Sequence, residues 1–263
     1  MAGDILFASR GAVATVTLQS PGRFNAMSLD MWRQLRAGFE RLAGDAALRC
    51  VVVAGADAHF CAGGNIAEYP QFRFDEAQLR DFHEGLVWGA LQAMLACDVP
   101  LLARIEGNCM GAGLEIASCC DIRIAGQSAR FGAPIARLGF PMAPRELDLV
   151  LQATGASAAR AILLEAEVLD AQRMWQLGFL NQVVDDAELP AQSDLHLQRI
   201  CALAPQAARM HKRMLRVLAG APSAVPGRQS LLDALAADAY GYADSAEHRE
   251  GIAAFIAKRK PAF

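Results

Sequence analysis

Apolar residues recur along the first half of the chain with two alternating periods. Short runs rich in β-branched residues predict strands over residues 12–18, 51–53, 101–105 and 122–125. Between these runs, apolar positions three or four residues apart predict helices over residues 29–43, 76–96 and 112–119. Strands that alternate with helices over short connections indicate an α/β domain with a mostly parallel sheet covered on both faces.

The pattern changes near residue 143, where the strand signal almost stops. Helical periodicity then predicts helices over residues 158–164, 171–177, 195–203, 206–218, 231–239 and 245–257. Ser245 is a typical N-cap for the last helix, and residues 219–226 predict a loop. Several of these helices are rich in alanine, which is consistent with burial between subunits and equally with ordinary packing.

Composition then excludes several classes of protein. The chain has 263 residues and a formal net charge of −3, which fits one large domain, with or without an appendage, and gives no basic excess for nucleic-acid binding. It has no apolar run of about 18 residues and no export signal at its start, which argues against membrane insertion and secretion. It has seven cysteines, and this odd number, together with the adjacent pair at residues 119 and 120, favours a reducing cytoplasm over a disulfide framework. No Cys or His cluster has the spacing of metal ligands.

A glycine-punctuated turn joins the strand over residues 101–105 to the helix that starts near residue 112. Gly107, Gly111 and Gly113 permit positive φ angles and close approach of a ligand, and the helix start offers free N–H groups. Glu115 follows in an otherwise apolar stretch, where an ionised carboxylate is costly unless it has a role or a partner. N–H donors beside a carboxylate suit oxyanion chemistry, although such turns are also common structural connections. The glycine spacing fits neither a P-loop nor a dinucleotide site.

Further motifs complete a family pattern. Residues 60–66 read Phe-Cys-Ala-Gly-Gly-Asn-Ile and follow the strand over residues 51–53. Residues 21–26 read Pro-Gly-Arg-Phe-Asn-Ala, and the chain ends with Lys-Arg-Lys-Pro at residues 258–261. Together with the glycine turn, these four motifs occur in an order that resembles the crotonase (enoyl-CoA hydratase/isomerase) superfamily over nearly the whole chain.

The resemblance implies a fold, an assembly and a substrate class. The fold is α/β, with a crotonase-like ββα spiral core that carries the acyl-CoA site over residues 1–195. A helical C-terminal region over residues 196–263 is implied to mediate a homotrimer or homohexamer. The substrate is an acyl-CoA thioester, and no further cofactor is implied.

The resemblance also implies roles for individual residues. Two backbone N–H groups hold the thioester oxygen in this family, and the matching positions are Ala62 and Ala112. Glu115 matches the first of two catalytic glutamates. Asn65 stands where the family usually has Asp, and either side chain can cap the helix that follows. The implied substrate and CoA contacts are Arg23, Ala62, Gly63, Gly64, Asn65, Ile66, Gly111, Ala112 and Lys258, the last from a neighbouring subunit.

The acyl pocket is implied to draw on the segment over residues 66–88. This segment carries a stripe of aromatic residues at roughly helical spacing, a pattern that more often marks a core: Tyr69, Phe72, Phe74, Phe82 and Trp88. The five histidines stand alone in the sequence, and only His83 lies in this segment.

Two departures from the family pattern leave the reaction open. Ile135 occupies the position of the second glutamate, although syn hydration uses two carboxylates that share a water molecule. Arg145 and Glu146 replace a glycine-rich run at the start of a later helix, where the helix dipole alone favours a glutamate and a catalytic role is the alternative. The expected function is a hydratase or isomerase with Glu115 as acid/base. The alternatives are a decarboxylase or C–C lyase on the same scaffold, or a non-catalytic CoA-binding subunit.

Overall fold

The computed structural model describes residues 3–219, 240, 242–243 and 245–263. Six strands form the larger sheet in the order β1-β2-β3-β4-β6-β9. These strands are Asp4–Arg10 (β1), Val13–Gln19 (β2), Cys50–Gly55 (β3), Leu101–Ile105 (β4), Ile122–Gly126 (β6) and Gln182–Val184 (β9). Only the β1–β2 pair is antiparallel within this sheet. A smaller sheet contains Asn108–Met110 (β5), Arg130–Gly132 (β7) and Leu169–Asp170 (β8).

Helices cover the sheets and dominate the second half of the described chain. They are Leu29–Ala43 (α1), Glu76–Arg80 (α2), Trp88–Ala96 (α3), Ala112–Ser118 (α4), Pro144–Leu164 (α5), Ala171–Gln176 (α6), Leu189–Cys201 (α7), Pro205–Ala219 (α8) and Ala246–Ile256 (α9). Ser245 caps α9 by accepting a hydrogen bond from the His248 N–H, as predicted. The predicted helix over residues 231–239 and nearly all of the predicted loop over residues 219–226 lie outside the described residues.

The central strands are buried on both faces, which explains their continuous apolar runs. Alternate residues of β3 face two different layers. Val51 and Val53 pack in the larger core with α1 and α3, whereas Cys50 and Val52 pack with α7 on the other side. The chain leaves β3 and the parallel neighbour β4 at the same edge of the sheet. Both glycine-containing motifs begin at that edge.

Helix α7 spans the predicted domain boundary between residues 195 and 196. Leu189 near its start and Ile200 near its end both pack in the smaller apolar cluster on the sheet. The structure therefore carries the chain across this position in one helix.

Helix α5 supplies one wall of the site described below. It is the one helix among the described residues with the length and apolar composition to cross a bilayer. Gly155 has non-helical angles (φ 78°, ψ 160°) and divides it, so its geometry is that of two shorter helices rather than one continuous span.

Candidate active site

The two glycine motifs meet where the segment after β3 pairs with β5. The Cys61 N–H donates to the Asn108 carbonyl at 2.7 Å, and the Met110 N–H donates to the Cys61 carbonyl at 2.8 Å. Gly63 (φ 111°) then turns the first motif toward the cavity, and Gly111 (φ 45°) turns the second into α4. Backbone pairing therefore fixes the spacing of the two motifs.

A cavity of about 320 Å³ opens between these motifs, the segment from Ile66 to Val87, and the start of α5. Its wall is mostly apolar, with Trp32, Ile66, Phe82, Val87, Met110, Ile135, Leu138, Phe140, Pro141 and Met142. The polar side chains on it are Tyr69, Arg73, His83, Glu115, Arg137 and Glu146. A small apolar cavity with a few convergent polar groups is typical of a ligand site.

The backbone amides of the two motifs differ in whether they are already bonded. The Ala62 N–H donates to the Phe24 carbonyl at 2.9 Å, and the Asn65 N–H donates to the Met27 carbonyl at 2.7 Å. Gly64 and Ala112 line the cavity, and their N–H groups have no acceptor within the described parts of the chain. The Ala112 N–H is thus free to donate into the cavity, and its role as a donor stays a prediction. The amide of Ala62 is already engaged, so Gly64 is the better match for the other donor.

The Pro-Gly-Arg-Phe-Asn-Ala turn is responsible for this arrangement. Asn25 is buried, and its Nδ2 atom donates to the carbonyls of Ala56 and His59 at 2.7 Å each. Phe24 and Asn25 both have positive φ angles (48° and 60°), which direct the Phe24 carbonyl toward Ala62. Arg23 is exposed on the turn and does not line the cavity.

Glu115 projects into the cavity from the first turn of α4, a helix in which every residue is buried. Burial raises the pKa of Glu115 well above its ordinary value of 4.5, and the nearby carboxylate of Glu146 raises it further. Both effects therefore disfavour the ionised form of Glu115 at the cavity wall.

Glu146 is a second carboxylate on the same cavity. It lies in the first turn of α5, is only 3% exposed, and bonds through both oxygens to His83 Nδ1, at 2.8 and 3.1 Å. Arg145, its neighbour in sequence, points away from the cavity wall and pairs instead with Glu84 at 3.1 Å. The two charged residues that replace the family's glycine-rich run at the start of α5 thus place one carboxylate inside the cavity and one cation outside it.

His83, which contacts Glu146, lies where the predicted helix over residues 76–96 is not regular. Its middle section, Asp81–Val87, is a π-helix between α2 and α3. Wider turns of this kind are rare and often occur at functional sites. Sequence reasoning placed His83 near the pocket but could not find its partner, because 63 residues separate it from Glu146.

Other predicted site residues are distributed around the cavity. Ile135 lines the cavity from the short 3₁₀ helix Pro134–Leu138. The position at which the family has its second glutamate therefore places an apolar side chain in this cavity. Asn65 occupies the N-cap position of the 3₁₀ helix Ile66–Gln71, but its side chain makes no capping bond, so the predicted cap is wrong. Lys258 is exposed in the tail, away from the cavity of its own chain.

The predicted aromatic stripe divides between site and core. Tyr69 and Phe82 line the cavity, whereas Phe72 is buried beside them and Phe74 is 89% exposed. Burial raises the pKa of the Tyr69 hydroxyl, Arg73 lowers it, and the two carboxylates of the cavity raise it. Tyr69 is therefore a neutral hydrogen-bonding group on the wall.

Known proteins are similar to this chain in both sequence and fold. The family model for enoyl-CoA hydratase/isomerase matches residues 8–263. The probable enoyl-CoA hydratase EchA14 of Mycobacterium tuberculosis is 34% identical over 194 residues, covering 74% of this chain and 73% of the relative. The 2,3-dehydroadipyl-CoA hydratase of Escherichia coli is 30% identical over 263 residues, covering 99% and 98%.

A solved structure extends the agreement to three dimensions. The crystal structure of an enoyl-CoA hydratase/carnithine racemase from Magnetospirillum magneticum has a TM-score of 0.91 and 38% identity, and the match covers 98% of this chain and 94% of that one. This similarity confirms the predicted crotonase-like α/β fold. The chain therefore belongs to the enoyl-CoA hydratase/isomerase family of the crotonase superfamily.

Proposed function

We propose that this enzyme adds water across the 2,3 double bond of an enoyl-CoA thioester, using Glu115 and Glu146 as its two proton-handling groups. One observation carries the proposal: Glu146 lies on the cavity of Glu115 and supplies the second carboxylate that Ile135 cannot. Because hydration needs one group to take a proton from water and another to give one to carbon, a single glutamate would be insufficient.

The thioester oxygen is held by the N–H groups of Gly64 and Ala112. Both line the cavity and are free of other acceptors in the described chain. As water adds to C3, negative charge grows on this oxygen, and each well-placed donor stabilises it by about 3 kcal/mol. The glycine at residue 64 also leaves room for Tyr69, because a Cβ there would lie 2.2 Å from the Tyr69 hydroxyl. Gly63, Ile66 and Gly111 form the rest of this binding segment.

The two carboxylates have different environments and therefore different roles. Glu146 is bonded to His83, which orients its carboxylate as the base that takes a proton from the attacking water. Burial raises the pKa of Glu115, which favours its use as the acid that delivers a proton to C2. The product is a 3-hydroxyacyl-CoA. Glu146 is then protonated and Glu115 deprotonated, and proton exchange with solvent restores the starting state.

A double-bond isomerase is the second candidate, because the same two carboxylates could move a proton between C4 and C2. Attack by water requires an activated water molecule, and the orientation of Glu146 by His83 favours that reaction. Decarboxylation and C–C cleavage use the same enolate and remain alternatives for the assays below. The proposed reaction needs no cofactor besides the CoA thioester that is its substrate. The seven free thiols support the expected cytoplasmic location.

The assembly is proposed to be a homotrimer or homohexamer. Its support is the set of large apolar side chains that are exposed on the described helices of the second half, including Leu164, Leu215, Phe255 and Ile256. Lys258, and with less support Arg23, are then expected near the CoA phosphates, with Lys258 reaching a neighbour's site. Light scattering at micromolar concentration tests this, and a mass of one 28.1 kDa chain would refute it.

The reaction is tested with purified enzyme and crotonyl-CoA, followed by loss of the ultraviolet absorbance of the conjugated thioester. Glu115→Gln and Glu146→Gln should each lower kcat by about 10²–10⁴-fold. Glu84→Gln is the matched control, because Glu84 follows His83 directly in sequence but pairs with Arg145 outside the cavity. Full hydration activity in Glu146→Gln would refute the assignment of the second carboxylate.

Product analysis separates the alternatives. Mass spectrometry after incubation with 2-enoyl-, 3-enoyl- and malonyl-type thioesters should show a gain of one water from the 2-enoyl substrate. Conversion of the 3-enoyl substrate alone would instead establish the isomerase, and loss of carbon dioxide would establish the decarboxylase.

A further inference from the structure

Arg73 is a cavity-lining cation that the proposed reaction does not use. Its guanidinium lies 3.5 Å from the centre of the Phe140 ring and 4.6 Å from that of Tyr69. It makes neither an ion pair nor a side-chain hydrogen bond with any residue that the structure describes. An arginine side chain has five N–H donors, so a partly buried one with no acceptor has unsatisfied capacity for binding.

The aromatic rings hold this cation in place without satisfying its donors. A position over the ring faces is favourable for a guanidinium, but the faces are not conventional hydrogen-bond acceptors for its N–H groups. Partial burial also lowers the pKa of Arg73, while nearby Tyr69 and Glu146 raise it. The side chain is thus fixed on the cavity wall as a donor fork for a planar, negatively charged group.

No acidic side chain of the described cavity wall bonds to Arg73. The charge of Glu146 favours the Arg73 cation, but the Glu146 carboxylate is bonded to His83, and burial raises the pKa of Glu115. Arg137, the other cavity arginine, is exposed and donates to the Ala166 carbonyl at 3.2 Å. A neutral acyl chain would leave the N–H donors of this partly buried side chain without an acceptor, which is unfavourable.

We propose that Arg73 forms a subsite for a carboxylate on the acyl chain, so that the enzyme acts on thioesters of dicarboxylic acids rather than of simple fatty acids. The carboxylate would be bound by the edge of the guanidinium, with Phe140 and Tyr69 behind it. This inference rests on the proposed function, because it assumes that the cavity holds the acyl part of a CoA thioester.

The test is calorimetric binding of saturated thioesters, which cannot react by hydration. Succinyl-, glutaryl-, adipyl- and suberyl-CoA are each compared with the monocarboxylic acyl-CoA of equal chain length. The wild-type enzyme should bind the carboxylated member of at least one pair about 10- to 100-fold more tightly, as expected for a charge-assisted hydrogen bond. Arg73→Gln should abolish this preference while retaining affinity for the uncharged member.

Arg145→Gln is the matched control, since Arg145 pairs with Glu84, stacks 5.7 Å from the Trp88 ring and does not line the cavity. It should keep the wild-type preference. A wild-type enzyme without preference at any length, or a preference that survives Arg73→Gln, would overturn the subsite. Equal weakening of both members by Arg73→Gln would assign Arg73 to the CoA phosphates and would also overturn it. Failure of the wild-type enzyme to bind any thioester would instead refute the proposed function itself.

Discussion

The close contact between Gly113 and Cys61 gives a prediction whose magnitude follows from distances. A Cβ atom at residue 113 would lie 2.7 Å from the Cys61 carbonyl oxygen and 2.9 Å from its Cβ. Ordinary contact begins at 3.4 Å, so the first distance is about 0.7 Å too short, and a backbone oxygen cannot move aside like the end of a flexible side chain. Gly113→Ala must therefore push α4 away from the segment that carries Gly64.

Two effects of opposite sign decide the stability of this variant. Overpacking of this kind costs about 1–3 kcal/mol, whereas alanine in place of glycine in a helix gains at most about 1 kcal/mol. A net loss of about 1–2 kcal/mol in the free energy of unfolding is expected. Because the displacement separates the Gly64 and Ala112 donors, kcat/KM for enoyl-CoA hydration should fall about 10- to 100-fold.

The assays for Gly113→Ala are urea denaturation and steady-state hydration kinetics. Gly85→Ala is the matched control, because a Cβ at residue 85 would meet no atom within 4 Å. This control should be as stable as the wild-type enzyme or up to about 1 kcal/mol more stable. If Gly113→Ala unfolds and reacts like the wild-type enzyme, the argument that the Gly113–Cys61 contact sets the donor spacing is refuted.

Three further predictions concern charged groups. Burial raises the pKa of Glu115 above its unfolded value, so the folded protein should lose stability as pH rises from the ordinary glutamate range toward that raised pKa, and Glu115→Gln should lack this loss in thermal melts. His83→Gln should lower kcat about 10-fold or more with little change in KM, because Glu146 loses its orienting partner. Lys212→Met should reduce the free energy of unfolding by about 1–3 kcal/mol, because the buried Lys212 Nζ contacts Asp121 at 2.8 Å and the Val99 carbonyl at 2.9 Å.

Each of these has a control and a refuting result. A gap between the melting temperatures of Glu115→Gln and wild type that does not grow with pH would contradict the effect of burial. His196→Gln, away from the cavity, should leave kcat unchanged, and an equal loss there would remove any special role for His83. Arg213→Met breaks a half-exposed pair with Asp98 and should cost less than about 1 kcal/mol in urea denaturation. If Arg213→Met lowered the free energy of unfolding more than Lys212→Met, the expectation that the more buried ion pair contributes more stability would be refuted.

The regular parts of the fold could be predicted because their patterns are long or strongly apolar. Helix α1 and strand β4 have the predicted bounds, since α1 has a clear apolar face and a Ser28 cap, and β4 is a buried run. Strands β5, β7 and β8 have three residues or fewer and show no period to detect. Strand β1 is mostly exposed at the sheet edge, which weakens its apolar signal.

The site could be predicted only where a residue contrasts with its local sequence. Glu115 was identified because it is a carboxylate in an apolar run, and the structure confirms that it is buried. The choice between the Ala62 and Gly64 amides depends on a carbonyl of Phe24, nearly forty residues away, which no local pattern reveals. The His83–Glu146 contact is likewise formed only by folding.

Because Asp81–Val87 form a π-helix, the number of residues in this segment determines which side chains face Glu146. Each residue of an α-helix turns the chain by about 100°, so deletion of one residue that restored an α-helix would rotate the flanking side chains by about that angle. His83 would then leave Glu146, and a different side chain would meet that carboxylate. A change of one residue in the length of this segment, with no change to either glycine motif, would thus change the side chain that meets the Glu146 carboxylate.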